Sequence, residues 1–594
     1  MNIDKQLREG LSLALNKLYN VSMEADDLVL QPTRKEFQGT HTFVTFPIAK
    51  KVGKNPQEIA EELGNYLVEN SVALAEYQVV KGFLNLTVHD QIWLSKLVTI
   101  AGCETWGQGQ KNDQLAVVEI ASPNTNKPLH LGHLRNICLG FSICNIMEKA
   151  GFQVKKVCIV NDRGIHICKS MVAYQKFENG ETPESKQIKG DHFVGDYYVK
   201  FNVAYQQEVA KLVEAGDNPK EAVRNAPILK EAQAMLKKWE AHDVETLALW
   251  KKMNQWVYDG FDETYHVIGA YFDNIYYESD TYVLGKDIVK EGLAKGVFYQ
   301  KEDQSVWVDL TDQGLDEKLI LRGDGTSVYM TQDLGTADLR YEDFQFNRSV
   351  YVVGNEQDYH FDVLFKILKK LDRPYADGLY HLSYGMVDLP SGKMKSREGK
   401  VVDADQIMDE MIKTAEVHTL ELGKIEGLDD QEATKLYKTL GLGALKYFLT
   451  KVDPRKRMLF NPEESIAFQG DTGPFIQYTH ARISAILRKA RATEMSFEFE
   501  PDNLTLHPSE RALIYLFDEF PGKIQSAALD YAPSTIAQYI YELAKEYNRF
   551  YAEVSIFNEP DLNCSQFRVV LSEQTAKIIK SGMGLLGIDV PDRM

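Results

Sequence analysis

The spacing of apolar residues divides the chain into three stretches. In the first, apolar residues recur at helical intervals over 1–19 and 56–69. They alternate with polar residues in the strand-like segments HTFVTF and GFLNLTV. This mixture predicts a compact α+β unit over residues 1–110.

Strands and helices alternate in the second stretch, which runs over residues 111–400. LAVVEI (115–120) has the pattern of a buried strand; a helix-periodic segment that ends at Gly151 follows it, and then KVCIV (156–160). SVYVVG (349–354) begins a further alternation. Such alternation predicts a doubly wound parallel sheet, that is, a Rossmann-type α/β domain.

Helical patterns interrupt that sheet and follow it. The segment from about 170 to 290 is charged and mostly helix-periodic, which predicts a helical insertion (170–290) between the halves of the sheet. Over 401–594 nearly every segment has helical spacing, which predicts an all-α bundle. The predicted fold class is therefore multidomain, with an N-terminal α+β domain, an α/β doubly wound domain and a C-terminal all-α bundle.

Composition and charge narrow the classes of function. The chain has 594 residues, of which 44% are hydrophobic and 26% charged, as in ordinary globular proteins. The formal net charge of −19 excludes a nonspecific nucleic-acid coat but allows a defined partner on a local basic surface. The apolar runs are shorter than the roughly 18–20 residues of a membrane span, and the first twenty residues mix both charge signs. Six cysteines without a CxxC pair favour a reducing compartment, so we expect a cytoplasmic protein without membrane contact.

The segment EIASPNTNKPLHLGHLRN (119–136) joins a predicted strand to a predicted helix and places His130, Gly132 and His133 at the helix start. Free N–H groups at a helix N-terminus attract phosphate, and glycine lets a base or sugar approach the backbone. Two imidazoles three residues apart share a helical face and can donate hydrogen bonds to a phosphorus centre. HxGH alone also fits a simple helix cap; the flanking SPNTNKP and LRN favour a nucleotide site.

HLGH at the first strand-to-helix turn resembles the HIGH signature of class I aminoacyl-tRNA synthetases. GKMKSREGKVV (392–402) resembles their KMSKS loop, which carries lysines to the triphosphate. Lys393 and Met394 match it, but Ser396 stands where the second lysine is expected. Arginine-specific members commonly lack that lysine and carry one just before the histidines, where this chain has Lys127. The departure therefore strengthens the resemblance to the arginyl-tRNA synthetase family.

The resemblance implies an ATP site in which two histidines stabilise the α-phosphate and two lysines the departing pyrophosphate. The catalytic candidates are Lys127, His130, His133 and Lys393. The ATP-binding candidates are these four residues with Gly132, Met386 and Val387. Mg²⁺ is expected to arrive with ATP, and no metal held by the protein alone is expected.

A site for arginine must pair a planar guanidinium with carboxylates and hold an α-amino group with neutral acceptors. In the arginyl-tRNA synthetase family, one set of residues faces the arginine side chain and another holds its backbone end or lines the pocket. The first set corresponds here to Glu119, Tyr329 and Asp333. The second corresponds to Ser122, Asn124 and Gln357, and His360 is a further candidate. Tyr329 and Asp333 share a face if their segment is helical.

Locally basic segments with interleaved aromatics occur in the C-terminal part, and cations beside aromatics can hold single-stranded loops. TGPFIQYTHAR and LGIDVPDRM resemble the anticodon-binding domain of arginyl-tRNA synthetases. The N-terminal unit resembles the domain that these enzymes place against the outer corner of tRNA. The tRNA-binding candidates are Lys451, Arg455, Arg457, Tyr478 and Arg482.

The resemblance implies an arginine–tRNA ligase that forms arginyl-adenylate from L-arginine and ATP and then transfers arginine to the 3′-terminal adenosine of tRNA(Arg). It further implies a monomer that needs bound tRNA for activation. One alternative is another class I specificity, although the zinc ligands of the cysteine enzyme and the β-barrel region of the glutamine enzyme are not predicted here. Another is a non-catalytic tRNA-binding descendant, which would be expected to lose the nucleotide signatures. Length and the helical C-terminal part exclude a small nucleotidyltransferase.

Overall fold

The computed structural model describes residues 3–34, 36–71, 73–388, 403–421, 423, 427–502 and 504–594. Within them, the N-terminal stretch forms an antiparallel sheet of order β1-β2-β4-β3, with α3 packed on it and α1 packed against α3. The apolar helical spacing of α1 buries Ile3, Leu7, Leu11 and Leu15. The elements are α1 (Ile3–Tyr19), β1 (Leu30–Pro32), β2 (His41–Val44), α2 (Phe46–Val52), α3 (Pro56–Asn70), β3 (Leu74–Val80), β4 (Phe83–Val88) and α4 (Asp90–Ala101).

The middle stretch forms the expected parallel sheet, with strand order β12-β11-β5-β6-β7. The elements are β5 (Leu115–Glu119), α5 (Leu131–Ala150), β6 (Gln153–Val160), α6 (Ile165–Phe177), α7 (Pro183–Lys186), α8 (Gly190–Glu214), α9 (Pro219–Asn225), α10 (Pro227–Glu240), α11 (Val244–Ile268), β7 (Asn274–Tyr277), α12 (Glu278–Thr281), α13 (Lys286–Ala294), β8 (Phe298–Gln300), β9 (Val306–Val308), β10 (Lys318–Leu321), α14 (Tyr329–Phe344), β11 (Arg348–Gly354), α15 (Asp358–Lys370), β12 (Leu379–Tyr384) and β13 (Val387–Asp388).

One part of the 170–290 segment differs from the expected helical insertion. β7 pairs in parallel with β6, with Val157 opposite Asn274, so it is an edge strand of the main sheet. Four residues are too few for a periodicity signal in the sequence. The helices α6 to α11 therefore form the insertion between β6 and β7. A small antiparallel sheet of order β10-β9-β8 follows, which the sequence pattern did not predict.

The two faces of the parallel sheet pack against different partners because side chains alternate along a strand. Ala116 and Val118 of β5 belong to the large core that includes α5 and the C-terminal helices. Val117 points to the opposite core, which includes residues of α14 and α15. By the same alternation, Glu119 faces the α14 side. α5 is buried along most of its length because helices of the C-terminal bundle cover the side away from the sheet.

The C-terminal stretch is helical, as expected, apart from a short strand β14 that pairs in parallel with β13. Its elements are α16 (Ala404–Glu421), α17 (Asp430–Lys451), β14 (Met458–Leu459), α18 (Pro462–Ser465), α19 (Gly473–Ala492), α20 (Pro508–Leu529), α21 (Pro533–Glu553) and α22 (Leu562–Leu585). The N-terminal stretch packs against it through α4 and α20, where Lys96 and Asp518 form a largely buried ion pair of 2.9 Å. Among the described residues, no helix combines the length and hydropathy needed to cross a membrane.

Candidate active site

The predicted ATP and amino-acid sites meet at the carboxyl edge of the parallel sheet. Glu119, the last residue of β5, lies opposite Tyr351 of β11 and Val157 of β6. The chain runs from β5 to β6 on one side, whereas β11 lies on the other side of β5. Open α/β sheets bind ligands in the crevice where the strand order reverses in this way. The segments that follow β5 and β11 therefore border one crevice.

His130 precedes the first residue of α5 and caps the helix. Its Nδ1 accepts a hydrogen bond from the backbone N–H of Gly132 at 3.1 Å. The Nδ1 of His133 accepts one from the backbone N–H of His130, also at 3.1 Å. The two ring centroids are 3.9 Å apart. A Cβ on Gly132 would lie 2.9 Å from the His130 ring, so the absence of a side chain there allows the ring to fold back onto the helix.

Both histidines are neutral, and the cap fixes which ring nitrogen carries the proton. Burial, with a smaller effect of Lys127, lowers the pKa of His130 to about 3. Burial, His130 and Lys127 together hold the pKa of His133 well below its ordinary value. A neutral imidazole has one donor and one acceptor nitrogen. Because each Nδ1 accepts a backbone hydrogen bond, each Nε2 carries the proton and is a hydrogen-bond donor.

Lys127 is half-buried three residues before His130. Burial lowers the pKa of its ammonium group. Within the residues that the structure describes, no ion pair or side-chain hydrogen bond of Lys127 is found, so its charge is available to a ligand. The other predicted pyrophosphate ligand, Lys393, lies outside the described residues, as does Ser396.

The backbone around Met386 and Val387 is fixed by a buried arginine that the sequence did not single out. Arg135 of α5 donates to the carbonyl oxygens of Gly385 at 2.7 Å and Lys456 at 2.9 Å. The side chain is buried, and burial lowers its pKa to about 10. Met386 accepts a hydrogen bond from the N–H of Met458, and Val387 is buried in β13. Arg135 thus holds the segment that leads into residues 389–402.

Glu119 already has a cationic partner. The NH2 group of Arg340, on α14, donates to Glu119 Oε2 at 2.5 Å, and Ser122 Oγ donates to Oε1 at 3.1 Å. Arg340 is fully buried and Glu119 is 7% exposed. Sequence reasoning missed Arg340, although it lies seven residues after Asp333 and therefore on the same side of the helix.

Asp333 and Tyr329 occupy the first turns of α14, so the condition under which they share a helical face is met. The Asp333 carboxylate is 2.6 Å from His360 Nε2. Its side chain is 39% exposed, and Tyr329 is exposed as well. His360 therefore belongs to this group of residues, and both Asp333 and Tyr329 remain accessible to a substrate.

The loop after β5 has an unusual backbone that Asn136 supports. Ala121 and Ser122 have φ angles of 74° and 47°, a region that residues other than glycine rarely adopt. The N–H of Ala121 donates to Asn136 Oδ1 at 2.7 Å, and Asn136 Nδ2 donates to Val352 O at 2.6 Å. Asn136 therefore ties this loop to β11. The predicted binding residues Asn124 and Gln357 are exposed, Gln357 in the short 3₁₀ turn after β11.

Several predicted tRNA-binding cations have partners within the protein. Lys451 lies 3.4 Å from the Asp471 carboxylate, and Arg457 lies 2.7 Å from that of Asp388. Arg455 is exposed and donates to a tyrosine hydroxyl. The positive charge of Lys451 and Arg457 is therefore partly compensated.

Arg482 lies between two aromatic rings on the surface of the helical bundle. Its guanidinium carbon is 4.9 Å from the ring centroid of Tyr478 and 5.3 Å from that of Tyr551. It also donates to the side-chain oxygen of Asn548. The predicted combination of a cation with an aromatic ring is present at Tyr478 and Arg482.

A basic cleft lies between α19, α22 and the C-terminal residues, with a volume of about 460 Å³. Five cationic side chains line the cleft, against the two acids Glu573 and Asp592. The cations are Arg488, Arg491, Lys577, Lys580 and Arg593. The sequence indicated locally basic segments in the C-terminal part, but Lys577 and Lys580 lie on α22, about ninety residues after Arg488.

A possible cation site formed by Asp191, His192 and Asp405 contains a resident ammonium group. Their ligand atoms lie within 4.8 Å of one another. Lys189 Nζ contacts Asp405 and is 3.3 Å from Asp191. A lysine in this position supplies the positive charge that a metal ion would otherwise provide.

A parallel sheet with HxGH at its first strand-to-helix turn, followed by a helical domain, is the architecture of a class I aminoacyl-tRNA synthetase. Three family models match: "Arginyl tRNA synthetase N terminal domain" over residues 5–88, "tRNA synthetases class I (R), catalytic domain" over 99–458, and "DALR anticodon binding domain" over 476–594. Arginine–tRNA ligases of Amoebophilus asiaticus and Bacteroides fragilis are 58% and 53% identical, each aligned over the full length of both chains. The chain belongs to the arginyl-tRNA synthetase family.

Solved structures support the same fold. The arginyl-tRNA synthetase of Thermus thermophilus has a TM-score of 0.79 at 24% identity, with both chains fully covered. That of Plasmodium falciparum has a TM-score of 0.76 at 20% identity and covers 100% of this chain and 99% of its own. The family excludes the cysteine and glutamine specificities and the non-catalytic descendant considered above, and ATP is a substrate.

Proposed function

We propose that this arginine–tRNA ligase forms arginyl-adenylate at the neutral pair His130 and His133. The observation that supports this proposal is the hydrogen bonding of the two rings: each Nδ1 accepts a backbone N–H, and each Nε2 is left as a donor. Two preoriented donors stabilise the negative charge that develops on the α-phosphate oxygens. Neutral rings do so without a proton transfer.

In this reaction a carboxylate oxygen of arginine attacks the α-phosphorus of ATP in line with the leaving group. A new P–O bond to the carboxylate forms as the bond to pyrophosphate breaks, and pyrophosphate leaves with the Mg²⁺ that accompanied ATP. Lys127 neutralises the departing phosphates from the α5 side, and Lys393 is proposed to supply a second positive charge to them. Gly132 and the backbone of Met386 and Val387 hold the nucleoside. Catalysis then rests on positioning and charge stabilisation.

We infer that Asp333 and Glu119 receive the guanidinium group of arginine, with Tyr329 beside them. Guanidinium donors pair with carboxylates through charge-assisted hydrogen bonds. Asp333 is accessible, and Glu119 Oε1 carries just one hydrogen bond from Ser122 among the described residues. Ser122, Asn124 and Gln357 are proposed to hold the α-amino and carboxylate end.

We infer that tRNA(Arg) contacts the helical bundle, and the basic cleft supports this assignment as strongly as the five residues chosen from the sequence. Arg482 with Tyr478 offers a cation and a ring for an unpaired base. Arg455 is exposed, whereas Lys451 and Arg457 would have to exchange a carboxylate partner for phosphate. We also propose that the enzyme acts as a cytoplasmic monomer and needs bound tRNA to activate arginine.

Asp333→Asn is expected to raise the Michaelis constant for arginine at least about tenfold, because a hydrogen bond to a charged group contributes roughly 1.5–3 kcal/mol. The Michaelis constant for ATP should change less than about twofold. ATP–pyrophosphate exchange with tRNA present measures both constants. Glu342→Gln is the matched control, since it removes an exposed carboxylate from the same helix. Equal increases for arginine and ATP would mean that Asp333 has a structural role.

A further inference from the structure

Arg340 is a buried charged group beside the proposed amino-acid site. It is fully buried, and Nε and NH1 have no hydrogen-bond partner in the described part of the chain. Buried polar groups are normally satisfied, so an arginine that leaves two donor nitrogens unpaired calls for an explanation. Its guanidinium carbon lies 5.1 Å and 5.6 Å from the ring centroids of Tyr351 and Tyr276, which offsets part of the cost of burial.

The only hydrogen bond that the structure gives Arg340's guanidinium among the described residues goes to Glu119 Oε2. Ser122 donates to the other oxygen, so both oxygens of Glu119 are oriented before any substrate binds. A carboxylate has about four acceptor positions, so Oε1 can still accept from a further donor. Without Arg340, a carboxylate as buried as Glu119 would lack both the cation that offsets the cost of its burial and the donor that orients Oε2.

We propose that Arg340 is a positioning residue that sets the specificity for arginine by orienting Glu119 and balancing its buried charge. This inference rests on the proposed contact of Glu119 with the substrate guanidinium. The oriented Glu119 carboxylate accepts hydrogen bonds from a guanidinium and repels the ureido oxygen of citrulline, a neutral analogue of the same length. A Glu119 side chain that is no longer held in this orientation would lose the distinction. Arg340 acts through Glu119 and does not itself touch the substrate.

The test compares arginine and citrulline in ATP–pyrophosphate exchange with tRNA present. Arg340→Met is expected to raise the Michaelis constant for arginine about tenfold or more, and to lower the ratio of kcat/KM for arginine over citrulline at least about tenfold. The Michaelis constant for ATP should stay within about twofold. Arg340→Lys keeps the charge without the fixed fork of donors and should fall between wild type and Arg340→Met.

A double-mutant cycle separates this role from a structural one. Glu119→Gln with Arg340→Met removes both charges and leaves no lone buried charge, so it provides a folded reference even where Arg340→Met is unstable. If Arg340 acts through Glu119, adding Arg340→Met to Glu119→Gln changes the Michaelis constant for arginine less than about twofold. The proposal would be overturned if the effects of the two substitutions on the Michaelis constant for arginine multiplied in the double variant. It would also be overturned if Arg340→Met lowered kcat/KM equally for arginine, citrulline and ATP.

The failure of the proposed substrate contact would give a different result. If Glu119→Gln leaves the Michaelis constant for arginine unchanged, then Glu119 does not bind the side chain. If Glu119→Gln raises it and Arg340→Met does not, the substrate contact holds and the role of Arg340 is wrong.

Discussion

Lys127→Ala is expected to slow adenylate formation at least about 100-fold, a loss of roughly 2.7 kcal/mol of transition-state stabilisation. The chain has Ser396 where a second lysine of the KMSKS loop is expected, and in the proposed mechanism Lys127 supplies that charge to pyrophosphate. Its half-buried ammonium has no protein partner among the described residues, and partial exclusion of water strengthens its interaction with phosphate. ATP–pyrophosphate exchange at saturating arginine, ATP and tRNA measures the rate of adenylate formation.

Two variants control for this experiment. Lys127→Arg keeps the positive charge and should retain more activity than Lys127→Ala. Lys111→Ala removes an exposed lysine before β5 and should leave the rate unchanged. A near-normal rate for Lys127→Ala would refute the idea that Lys127 compensates for Ser396.

His133→Asn is expected to lower kcat for adenylate formation by about 100-fold to 1000-fold, the usual loss for one preoriented donor to a developing oxyanion. Asparagine can accept the backbone N–H of His130 as the Nδ1 of His133 does, so the helix cap is kept while the Nε2 donor is lost. His133→Gln has the opposite effect: its amide can donate from the position of Nε2, but it no longer accepts the backbone N–H of His130, so the helix cap is lost. Single-turnover formation of arginyl-adenylate measures both variants.

The two variants separate catalysis from helix capping. We expect His133→Gln to be the more active and His133→Asn the more stable, as judged by thermal unfolding. If His133→Asn were the more active, the geometry of the pair would serve the helix cap and the proposed donor role would be wrong. The direction of the pKa shifts adds a second check, since neutral rings predict no loss of rate from their titration between pH 6 and 8.

Local patterns in the sequence predicted the parts of the site that depend on neighbouring residues. The β5-to-α5 turn follows from an apolar strand, a polar loop and a helix start, and the cap at His130 confirms it. Tyr329 and Asp333 were expected to share a face if their segment is helical, and α14 meets that condition. The parallel sheet follows from alternation over longer stretches.

Contacts between distant segments could not be predicted in this way. Arg340 contacts Glu119 because side chains alternate along β5 and its last residue points toward α14. Which side of the sheet α14 packs on cannot be deduced from the local sequence. Arg135 reads as an ordinary basic residue of LRN, but it binds carbonyl groups some 250 and 321 positions later. β7 is too short to be recognised, and the basic cleft combines two distant helices.

The most direct test of the account is ATP–pyrophosphate exchange with each amino acid in turn, with and without total tRNA. We predict exchange with arginine when tRNA is present and no exchange with the other amino acids, since the proposed carboxylate pair, Glu119 and Asp333, would pair with a guanidinium. Exchange with lysine or a neutral amino acid at a comparable rate would contradict the assignment of Glu119 and Asp333. Exchange with arginine in the absence of tRNA would keep that assignment and overturn the proposed dependence on tRNA.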